Sequence, residues 1–585
     1  MPTARIARRT PRRRWMVADM AESESRGYPT RGVAQLLLIL AGQSIGFAGY
    51  FLTSLLRDNV LPPLWPVMAA CWFGLGVVLH IGVRIAVPYT DPIILPIVLT
   101  LTGIGLAMLN RIDLTSDDPP MVYSQFLAVG LGAAALLTIV FLLKDPRRLK
   151  GYPFLLSTLA FILLLLPLIP GLGSEVYGSR IWISVGPFSF QPAEIAKLVL
   201  AASFAAYLCD KSEVLSLAGR RFLGLDLPRM RDLGPVMVMW AVSLSIMVFQ
   251  NDLGTSLLFF GLFVMMIYVA TGKVSWVIIG LALFTAGGAA VLRFAGHVQR
   301  RIDFWLHPFD YPDDATQIIQ AQFGFSNGGL FGSGWGLGRP DLIIFSYSDM
   351  IAAAVGEEIG IVGLMGIIVL YALLVFRGLK TSLIATDSFT KLFAAGLSFG
   401  FLLQTFAIIG GVTRLLPLTG LTTPFMSQGG SSMIANWILI AALIVISHQA
   451  RRPHTAGGEV GAFGVTILGE EATQVITSRE LAHLGTGTIR PVQAIDAEQV
   501  PLTDGGKPKV RSGDEWIDDV DPGSEETTEY EISPINEDTV RKVPESFLDD
   551  GLTRTTVVKG LFGEEEEITT TIDDIDDDYF WRGTD

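Results

Sequence analysis

The sequence contains little cysteine, histidine or charge. Only two of its 585 residues are cysteines and six are histidines. Cys71 falls inside an apolar run and Cys209 beside a basic loop, so no disulfide is expected between them. The histidines show no metal-ligand spacing, and neither an HExxH motif nor a pair of closely spaced cysteines occurs. The sequence therefore indicates no metal site of a known type.

Charged residues make up only 17% of the chain, hydrophobic residues make up 50%, and the mean hydropathy is +0.48. This composition excludes an ordinary soluble globular domain. Several uncharged runs reach about 18 residues, the length that crosses a bilayer as a helix. Within lipid only helices and closed barrels satisfy their backbone hydrogen bonds, and runs this long favour helices. The predicted fold class is all-α, a polytopic membrane protein.

The hydrophobic runs predict about twelve transmembrane helices on a roughly twenty-residue criterion. The stretch 233–270 is interrupted by QNDLG and could also form one broken helix. The predicted spans are 32–56, 62–87, 93–110, 122–143, 153–170, 190–209, 233–250, 254–270, 273–294, 350–376, 390–411 and 432–449.

Basic residues predict the orientation of these spans. With twelve helices the basic N-terminal arm, KDPRRLKG (144–151), the 210–233 loop and RGLKT (377–381) lie on one side. The positive-inside rule makes this side cytoplasmic, so both termini are predicted to be cytoplasmic. The predicted location is the plasma membrane. The segments 171–190, 295–349 and 412–431 then face outward. No short apolar stretch with a cleavage site follows the first arginines, so no signal peptide is expected.

Charge divides the chain into a basic body and an acidic tail. Residues 451–585 contain 31 Asp and Glu against 12 Lys and Arg, a net of −19, which leaves about +6 for the first 450 residues. Such a tail buries too little apolar surface to offset the entropy of ordering, so it is predicted to be disordered. The predicted domains are a basic arm (1–31), two additional helices (32–87), a membrane core (88–449) with the large outward loop 295–349, and a disordered acidic cytoplasmic tail (450–585).

The outward segments contain most of the unusual residues. In 178–198, Arg180 and Trp182 precede QPAE, in which proline and glutamate suit the first turn of a helix. Glu194 and Lys197 are three residues apart on that helix and can pair inside the bundle. This pair could be structural, or it could shape a site, because charges within membranes tend to mark function.

The loop 295–349 combines Arg300, Arg301 and Arg339 with glycines at 328, 329, 332, 334, 336 and 338. Glycines permit tight turns and close approach of backbone to a ligand. Their spacing matches neither the nucleotide loop nor the dinucleotide fingerprint. The loop could therefore be a plain flexible connection, although loops of this length are usually functional or disordered.

The segment 413–437 is rich in Pro, Gly, Ser and Thr, which at membrane depth is tolerated only in a cavity wall or when buried in protein. Asp349 precedes the apolar run 350–376 and could be a helix N-cap. Partial burial would instead raise the pKa of its carboxyl and make it a better base. Glu357 and Glu358 lie about two turns further along and are expected to be structural. Together the three segments predict an external polar groove that suits a lipid-linked anionic substrate.

Five motifs in this order resemble one family. QPAEIAKL, QNDLGTS, FGFSNGGLFGSGWGLG, SDMIAAAVGEEIG and LPLTGLTTPFMSQGGSS look like the motifs of the SEDS (FtsW/RodA) proteins, over about 93–449. The two extra N-terminal helices and the LTGLTTPFMS form look like RodA-type members of high-GC Gram-positive bacteria. The chain departs from the family pattern at Asn251, where proline is usual, and at Gln428, where an aromatic residue is usual. The two helices before residue 93 exceed the ten-helix core, and the acidic tail is also additional.

The resemblance implies a peptidoglycan glycosyltransferase that polymerises lipid II on the outer face of the membrane, in cell elongation and shape or in division. It implies that Asp349 is the catalytic aspartate and places Asp341 at a second acidic position, where members often carry Glu. The expected partners are lipid II, the nascent glycan strand and a class B penicillin-binding protein, with no nucleic acid. Cytoplasmic partners or a Ser/Thr kinase acting on Thr473 or Thr569–Thr571 are a further hypothesis for the tail.

The candidate site follows from the groove and the resemblance. No cofactor is predicted; a divalent cation at the diphosphate is left open, because no set of protein ligands indicates one. The candidate catalytic residue is Asp349; the candidate substrate-binding residues are Arg180, Trp182, Arg300, Arg301, Arg339, Gln428 and Ser431; the supporting residues are Glu194, Lys197, Asp252, Asp341, Glu357 and Glu358.

Two other functions stay open on the sequence. A lipid II flippase would need a polar path through both halves of the membrane, whereas the polar motifs here crowd the outward segments. A non-catalytic scaffold for a penicillin-binding protein would keep the helices without needing Asp349.

Overall fold

The computed structural model describes most of the chain between residues 31 and 453 and four strands of the tail. Within 31–453 it leaves out residues 63, 116–118, 144, 177–178, 186–187, 217–220, 223–224, 251 and 295 and most of 227–248. In the tail it describes 510–512, 515–517, 553–559 and 565–571. The basic arm, Asn251, Thr473 and most of the tail therefore lie outside the described residues, and the predictions made for them stay predictions.

Thirteen α-helices form the described part of the body. In chain order they are α1 (Gly32–Asp58), α2 (Trp65–Ala86), α3 (Ile94–Asp113), α4 (Met121–Leu142), α5 (Pro153–Leu165), α6 (Pro192–Ser216), α7 (Leu253–Thr271), α8 (Ser275–Phe294), α9 (Gly296–Leu306), α10 (Thr316–Gly328), α11 (Ile351–Ile384), α12 (Ser388–Val412) and α13 (Gly430–Arg451).

Among the described residues, nine of these helices are long and apolar enough to cross a membrane, namely α1–α4, α6, α7 and α11–α13. The predicted spans 153–170 and 273–294 appear as shorter apolar helices, Pro153–Leu168 and Ser275–Ala289. The predicted span 233–250 lies mostly outside the described residues. The polytopic helical fold is confirmed, and the count of twelve stays a prediction. Cys71 and Cys209 are free, so the expected absence of a disulfide is confirmed.

Burial distinguishes the centre of the bundle from its periphery. Most residues of α3, α6 and α13 are buried, whereas most residues of α1, α2 and α4 are not. The outer helix α1 packs on α3 through small residues. A Cβ atom at Gly42 would lie 2.0 Å from Thr100, and one at Gly46 would lie 2.5 Å from the backbone of Gly103. This Gly-xxx-Gly spacing lets two helices approach closely inside a membrane.

The segments predicted to face outward (171–190, 295–349 and 412–431), named the outward segments after that prediction, have more regular structure than the sequence indicated. The first forms a three-stranded antiparallel sheet of β1 (Gly173–Val176), β2 (Ser179–Val185) and β3 (Phe188–Phe190), which the all-α prediction did not include. The loop 295–349 contains α9, α10 and two 3₁₀ turns, Pro308–Asp310 and Pro340–Leu342, so its interpretation as a plain flexible connection was wrong. Apolar residues recur in both helices, but their runs are too short to be distinguished from loop by periodicity alone.

Shorter strand pairs lie in the 210–233 loop and in the tail. β4 (Arg221–Phe222) pairs with β5 (Leu225–Asp226). In the tail, β6 (Val510–Ser512) pairs with β7 (Glu515–Ile517), and β8 (Thr553–Lys559) pairs with β9 (Glu565–Thr571), all antiparallel. The tail forms a unit of its own that begins at His454. No strands were predicted there, and the disorder predicted for the remaining tail residues stays untested.

Helix α11 is broken at Gly360, although the sequence predicted one continuous span over 350–376. Gly360 has φ 72° and ψ −179°, a conformation that only glycine adopts without strain. A first half-helix, 351–359, therefore ends where a second one, 361–384, begins. Hydrophobic periodicity cannot show this break, because the apolar pattern continues on both sides of it.

The break predicts that Gly360→Ala destabilises the protein. A Cβ atom at residue 360 would lie 2.3 Å from the backbone nitrogen of Gly332, and the positive φ adds strain of about 1–3 kcal/mol. We expect a clear loss in the free energy of unfolding of the detergent-solubilised protein. Gly366→Ala is the matched control, because a Cβ at Gly366 meets open space and alanine favours the helix by roughly 0.5–1 kcal/mol. Equal stability of the two variants would contradict the strained break.

Candidate active site

Asp349 lies on the turn just before α11 and is half-buried. Its carboxylate accepts two hydrogen bonds from neutral side chains. Gln317 of α10 donates from Nε2 to Oδ2 at 3.0 Å, and Ser348 donates from Oγ to Oδ1 at 3.1 Å. Both donors hold the carboxylate in place without neutralising its charge.

Asp349 does not cap the helix that follows it. The N-cap residue of α11 is Met350, whose side chain makes no capping hydrogen bond. The backbone carbonyl of Met350 accepts from Ala353 and Ala354 instead. The interpretation of Asp349 as a helix cap was therefore wrong.

Burial raises the pKa of Asp349 above the usual range for a carboxyl group. The hydrogen bonds from Gln317 and Ser348 and the charge of Arg301 act in the opposite direction without cancelling this effect. A carboxylate with a raised pKa is a stronger base, provided that the pH stays above that pKa. The local environment of Asp349 therefore suits proton abstraction at any pH above its raised pKa.

Arg301 of α9 is the cation whose charge acts on the carboxyl group of Asp349. Its positive charge stabilises the ionised forms of both Asp349 and Asp252, and its Nη1 donates to the backbone carbonyl of Leu418 at 3.3 Å. Arg301 thus connects the long outward loop to the third outward segment. Its neighbour Arg300 is exposed.

The third outward segment passes directly beside the Asp349 turn. The backbone nitrogen of Gln428 donates to the carbonyl of Tyr347 at 2.8 Å, and Ser427 donates from Oγ to the carbonyl of Ser348. Ser431 is buried, and its Oγ has no hydrogen-bond partner among the described residues. The structure therefore brings Gln428 next to the Asp349 turn and places Ser431 one helical turn further along the chain.

The predicted pair of Glu194 and Lys197 is formed, with 3.0 Å between Oε2 and Nζ. Lys197 also donates to Oε1 of Gln404 at 2.8 Å, and Gln404 donates from Nε2 to the carbonyl of Thr422 at 3.0 Å. This buried chain of hydrogen bonds joins α6 to α12 and to the third outward segment.

Asp252 caps α7 by accepting from the backbone nitrogen of Thr255 at 3.0 Å. The charges of Arg301 and Glu194 both act on the carboxyl group of Asp252. Arg301 therefore acts on Asp252 as well as on Asp349.

Glu357 and Glu358 end the first half of α11, and both are almost fully buried, at 3% and 1% exposure. Oε1 of Glu357 accepts from Nδ2 of Asn327 at 2.7 Å and from the backbone nitrogen of Arg339 at 3.0 Å. Oε1 of Glu358 accepts from Nε of Arg111 at 2.9 Å, and its Oε2 accepts from the backbone nitrogen of Gly336 at 3.1 Å. Both carboxylates therefore hold the glycine-rich loop, residues 329–338, or the residues on either side of it.

The glycine-rich loop also satisfies the backbone groups that the break in α11 leaves free. On one side, the nitrogens of Ser333 and Gly334 donate to the carbonyls of Glu357 and Glu358 at 3.0 and 2.9 Å. On the other side, the nitrogens of residues 361 and 362 donate to the carbonyls of residues 329 and 330 at 3.0 and 3.1 Å. A break in a buried helix leaves several backbone N–H and C=O groups without hydrogen-bond partners, which is unfavourable unless another segment supplies them.

Arg111 is the main residue of this region that sequence reasoning missed. It is 2% exposed, pairs with Glu358 and donates from Nη2 to the carbonyl of Gly338 at 2.7 Å. The one available signal was an arginine at the end of an otherwise uncharged run. Gln317 and Asn327 were also missed, because polar residues in a loop of unknown structure give no indication of their partners.

Three of the predicted substrate-binding residues are not assembled around Asp349 as expected. Arg180 and Trp182 belong to a different element, and Arg180 and Arg339 are each paired with a carboxylate. Arg180 and Trp182 lie on β2, where the exposed Arg180 pairs with Glu175 at 3.4 Å. Arg339 is exposed and bonds both carboxylate oxygens of Asp341, with Nη2 3.0 Å from Oδ2. Burial acts to raise the pKa of Asp341, but the hydrogen bonds from Arg339, a backbone hydrogen bond and the charges of Arg339 and Arg111 together outweigh it, and the pKa lies below the usual range.

A cleft of about 480 Å³ opens one helical turn beyond Arg301. Its wall consists of Trp305, Leu306, Gln322, Thr413 and Arg414. Arg414 closes the end of α9 by donating to the carbonyls of Trp305 and Leu306, both at 2.7 Å. Among the residues that the structure describes, no group of three His, Cys, Asp or Glu side chains could hold a metal ion.

The fold and the site together define a multi-pass helical membrane protein with a candidate general base at the end of a core helix. Residues 93–452 match the family described as cell cycle protein, FtsW/RodA/SpoVE. The chain belongs to this family, and the resemblance inferred from the motifs is confirmed.

Several curated proteins are similar to this chain over most of their own length. Peptidoglycan glycosyltransferase RodA of Mycobacterium tuberculosis is 44% identical over 437 residues, which are 73% of this chain and 92% of that protein. The protein of the same name from Mycobacterium leprae is 42% identical over 433 residues, with the same coverage of both chains. Stage V sporulation protein E of Bacillus subtilis is 32% identical over 374 residues, 62% of this chain and 98% of that protein.

A solved structure has the same fold. It is described as showing structural coordination of polymerization and crosslinking by a peptidoglycan synthase complex, and its chain aligns with a TM-score of 0.50 at 24% identity. The alignment covers 62% of this chain and 99% of that chain.

The buried pair predicts that Arg111→Met is strongly destabilising. Removing the arginine leaves Glu358 charged and buried, which costs about 3–5 kcal/mol. The double variant Arg111→Met with Glu358→Gln removes this unpaired charge and is expected to recover part of the loss. The measurement is the free energy of unfolding in detergent.

Arg180→Met is the control, because the exposed pair of Arg180 and Glu175 is worth less than about 1 kcal/mol. If Arg111→Met lowers the free energy of unfolding no more than Arg180→Met does, the pair of Arg111 and Glu358 does not stabilise the fold as we infer.

Proposed function

We propose that this chain is a peptidoglycan glycosyltransferase that polymerises lipid II on the outer face of the plasma membrane, with Asp349 as its general base. The observation that carries the proposal is the environment of Asp349. Its carboxylate is half-buried, has a raised pKa, is held by two neutral donors and lies where two outward segments meet. The names of the relatives that match this chain over most of their length support the reaction class.

In this reaction Asp349 accepts the proton of the acceptor sugar hydroxyl while the hydroxyl oxygen attacks the anomeric carbon of the donor. A new glycosidic bond forms as the bond between the anomeric carbon and the diphosphate breaks. Negative charge then develops on the leaving diphosphate. A base within hydrogen-bond reach of the attacking hydroxyl typically contributes about 10²–10⁴-fold to the rate.

Arg301 is the cation that we assign to the developing charge of the diphosphate. It acts on Asp349 electrostatically and lies on the outward loop beside the third segment. A fixed cation near the leaving group stabilises the transition state more than the ground state. Arg180 and Arg339 already pair with Glu175 and Asp341, so we place them at the periphery of the groove. The exposed Arg300 is a second cation on the same helix.

The proposal includes a membrane orientation and partners. The protein is a multi-pass membrane protein, and the distribution of basic loops supports cytoplasmic termini. The related structure of a peptidoglycan synthase complex that coordinates polymerization and crosslinking supports a class B penicillin-binding protein as the partner. A cytoplasmic partner or kinase for the acidic tail, and a divalent cation at the diphosphate, remain hypotheses drawn from the sequence.

The central test compares wild type with Asp349→Asn. The chain is purified with its penicillin-binding protein, which is inactivated at its transpeptidase serine, and is incubated with labelled lipid II. We expect a ladder of glycan products from wild type and a loss of about 10²-fold or more with asparagine, which cannot accept the proton.

Asp313→Asn, an exposed position in the same loop, is the control. A ladder of equal intensity from Asp349→Asn would remove Asp349 from the mechanism, and lipid II movement between leaflets without any ladder would favour the flippase.

The pH dependence of the reaction gives a second test. Gln317 donates to the ionised carboxylate, so Gln317→Leu should raise the pKa of Asp349 further. Because the base must be ionised, the acidic limb of kcat/KM should move to higher pH. Gln322→Leu, on the same helix but in the wall of the cleft, should leave this limb in place. A lower pH for the acidic limb of Gln317→Leu would exclude Asp349 as the titrating base.

A further inference from the structure

We propose that helix α1 positions the glycine-rich loop. Trp335 is the positioning residue, and through Trp335 helix α1 acts on the half-helix next to Asp349. This proposal rests on the proposed function. It concerns a helix outside the part of the chain that matches the family, because that match begins at residue 93.

One face of the glycine-rich loop is bound to α11. The loop supplies the backbone partners for the break at Gly360, and its glycines at 336 and 338 bond Glu358 and Arg111. A displacement of the loop would therefore move the end of the half-helix 351–359. Asp349 lies two residues before the other end of this half-helix.

The opposite face of the loop rests on α1. A Cβ atom at Gly49 would lie 3.2 Å from two ring carbons of Trp335, and one at Gly336 would lie 3.0 Å from the carbonyl oxygen of Thr53. These are close approaches in which the indole ring and the loop backbone lie directly against the helix. Trp335 also packs against the buried core.

Helix α1 offers a firm support for this contact. Its residues Gly42 and Gly46 lie against α3, and α3 carries Arg111, which holds the loop from the other side. The loop is thus fixed between two helices that are themselves tightly packed. Without α1, the outer face of the loop would lose its contact while the inner hydrogen bonds remained.

The loop also connects the elements that hold Asp349. It follows α10, whose Gln317 bonds the carboxylate, and it precedes the segment 339–349 that leads to Asp349. Trp335 therefore lies in the middle of the chain segment that sets the position of both the base and its donor. It does not need to touch the substrate in order to affect the reaction.

The test measures kcat, KM for lipid II and amide hydrogen exchange in Trp335→Ala, Trp335→Phe and wild type, each in complex with the inactivated penicillin-binding protein. A displacement of a catalytic group by about 1 Å costs as much as 10²-fold in rate, so we expect Trp335→Ala to lose about tenfold or more in kcat. KM should change by less than about twofold, because the substrate contacts remain. Amides of the loop and of residues 357–362 should exchange faster, and Trp335→Phe should restore most of both properties.

One further variant separates this contact from general damage to the N-terminal helices. A Cβ atom at Gly74 on α2 meets open space, so Gly74→Leu should match wild type in kcat and in exchange.

A kcat for Trp335→Ala equal to that of wild type would overturn the proposal, as would unchanged exchange at 357–362 or a fall in kcat that only follows the loss of folded protein. Absence of any glycan product from wild type would count against the proposed function instead. The exchange measurement needs no activity, so it would still decide whether α1 holds the loop.

Discussion

The constraint on which this site depends is the need to satisfy the backbone at the break in α11. Inside a membrane-spanning bundle, a broken helix leaves carbonyls on one side and amide groups on the other without partners. The glycine-rich loop supplies both sets through Ser333 and Gly334 on one side and residues 329 and 330 on the other. The buried carboxylates then add bonds from Asn327, Arg339, Gly336 and Arg111. As a result, the half-helix beside Asp349 is fixed in place by a loop that composition alone would describe as flexible.

The polar residues of the site have separate tasks. Glu357 and Glu358 hold the loop, and Glu194 and Lys197 join α6 to α12. Glu194 and Glu358 contact the cations Lys197 and Arg111, and a carboxylate bound by a cation is a poor base. Glu357 has neutral donors as Asp349 does, but it is only 3% exposed, whereas Asp349 is half-buried. Asp349 therefore differs from these supporting carboxylates by having both neutral side-chain donors and partial exposure.

Much of the fold could be predicted from the sequence, because long uncharged runs have essentially one solution in a bilayer. The pairing of Glu194 with Lys197 was also predictable, since it depends only on helical spacing. The break at Gly360 was not, because an apolar run continues through it and any glycine in a helix looks alike in sequence. The partners of Arg111 and Gln317 were not predictable either, since they lie 247 and 32 residues away along the chain. Contacts of this kind depend on tertiary packing rather than on local pattern.

The seam between the glycine-rich loop and α11 is made largely from main-chain groups. Main-chain hydrogen bonds do not depend on the identity of the side chains, so this part of the seam is specified by the path of the backbone, and the buried side chains of Arg111, Glu357 and Glu358 add to it. The path is open only where a Cβ atom fits. Glycine is therefore required at positions such as Gly332 and Gly360, where a Cβ atom would lie 2.1 and 2.3 Å from neighbouring backbone atoms, and these positions carry structural information although they carry no side chain.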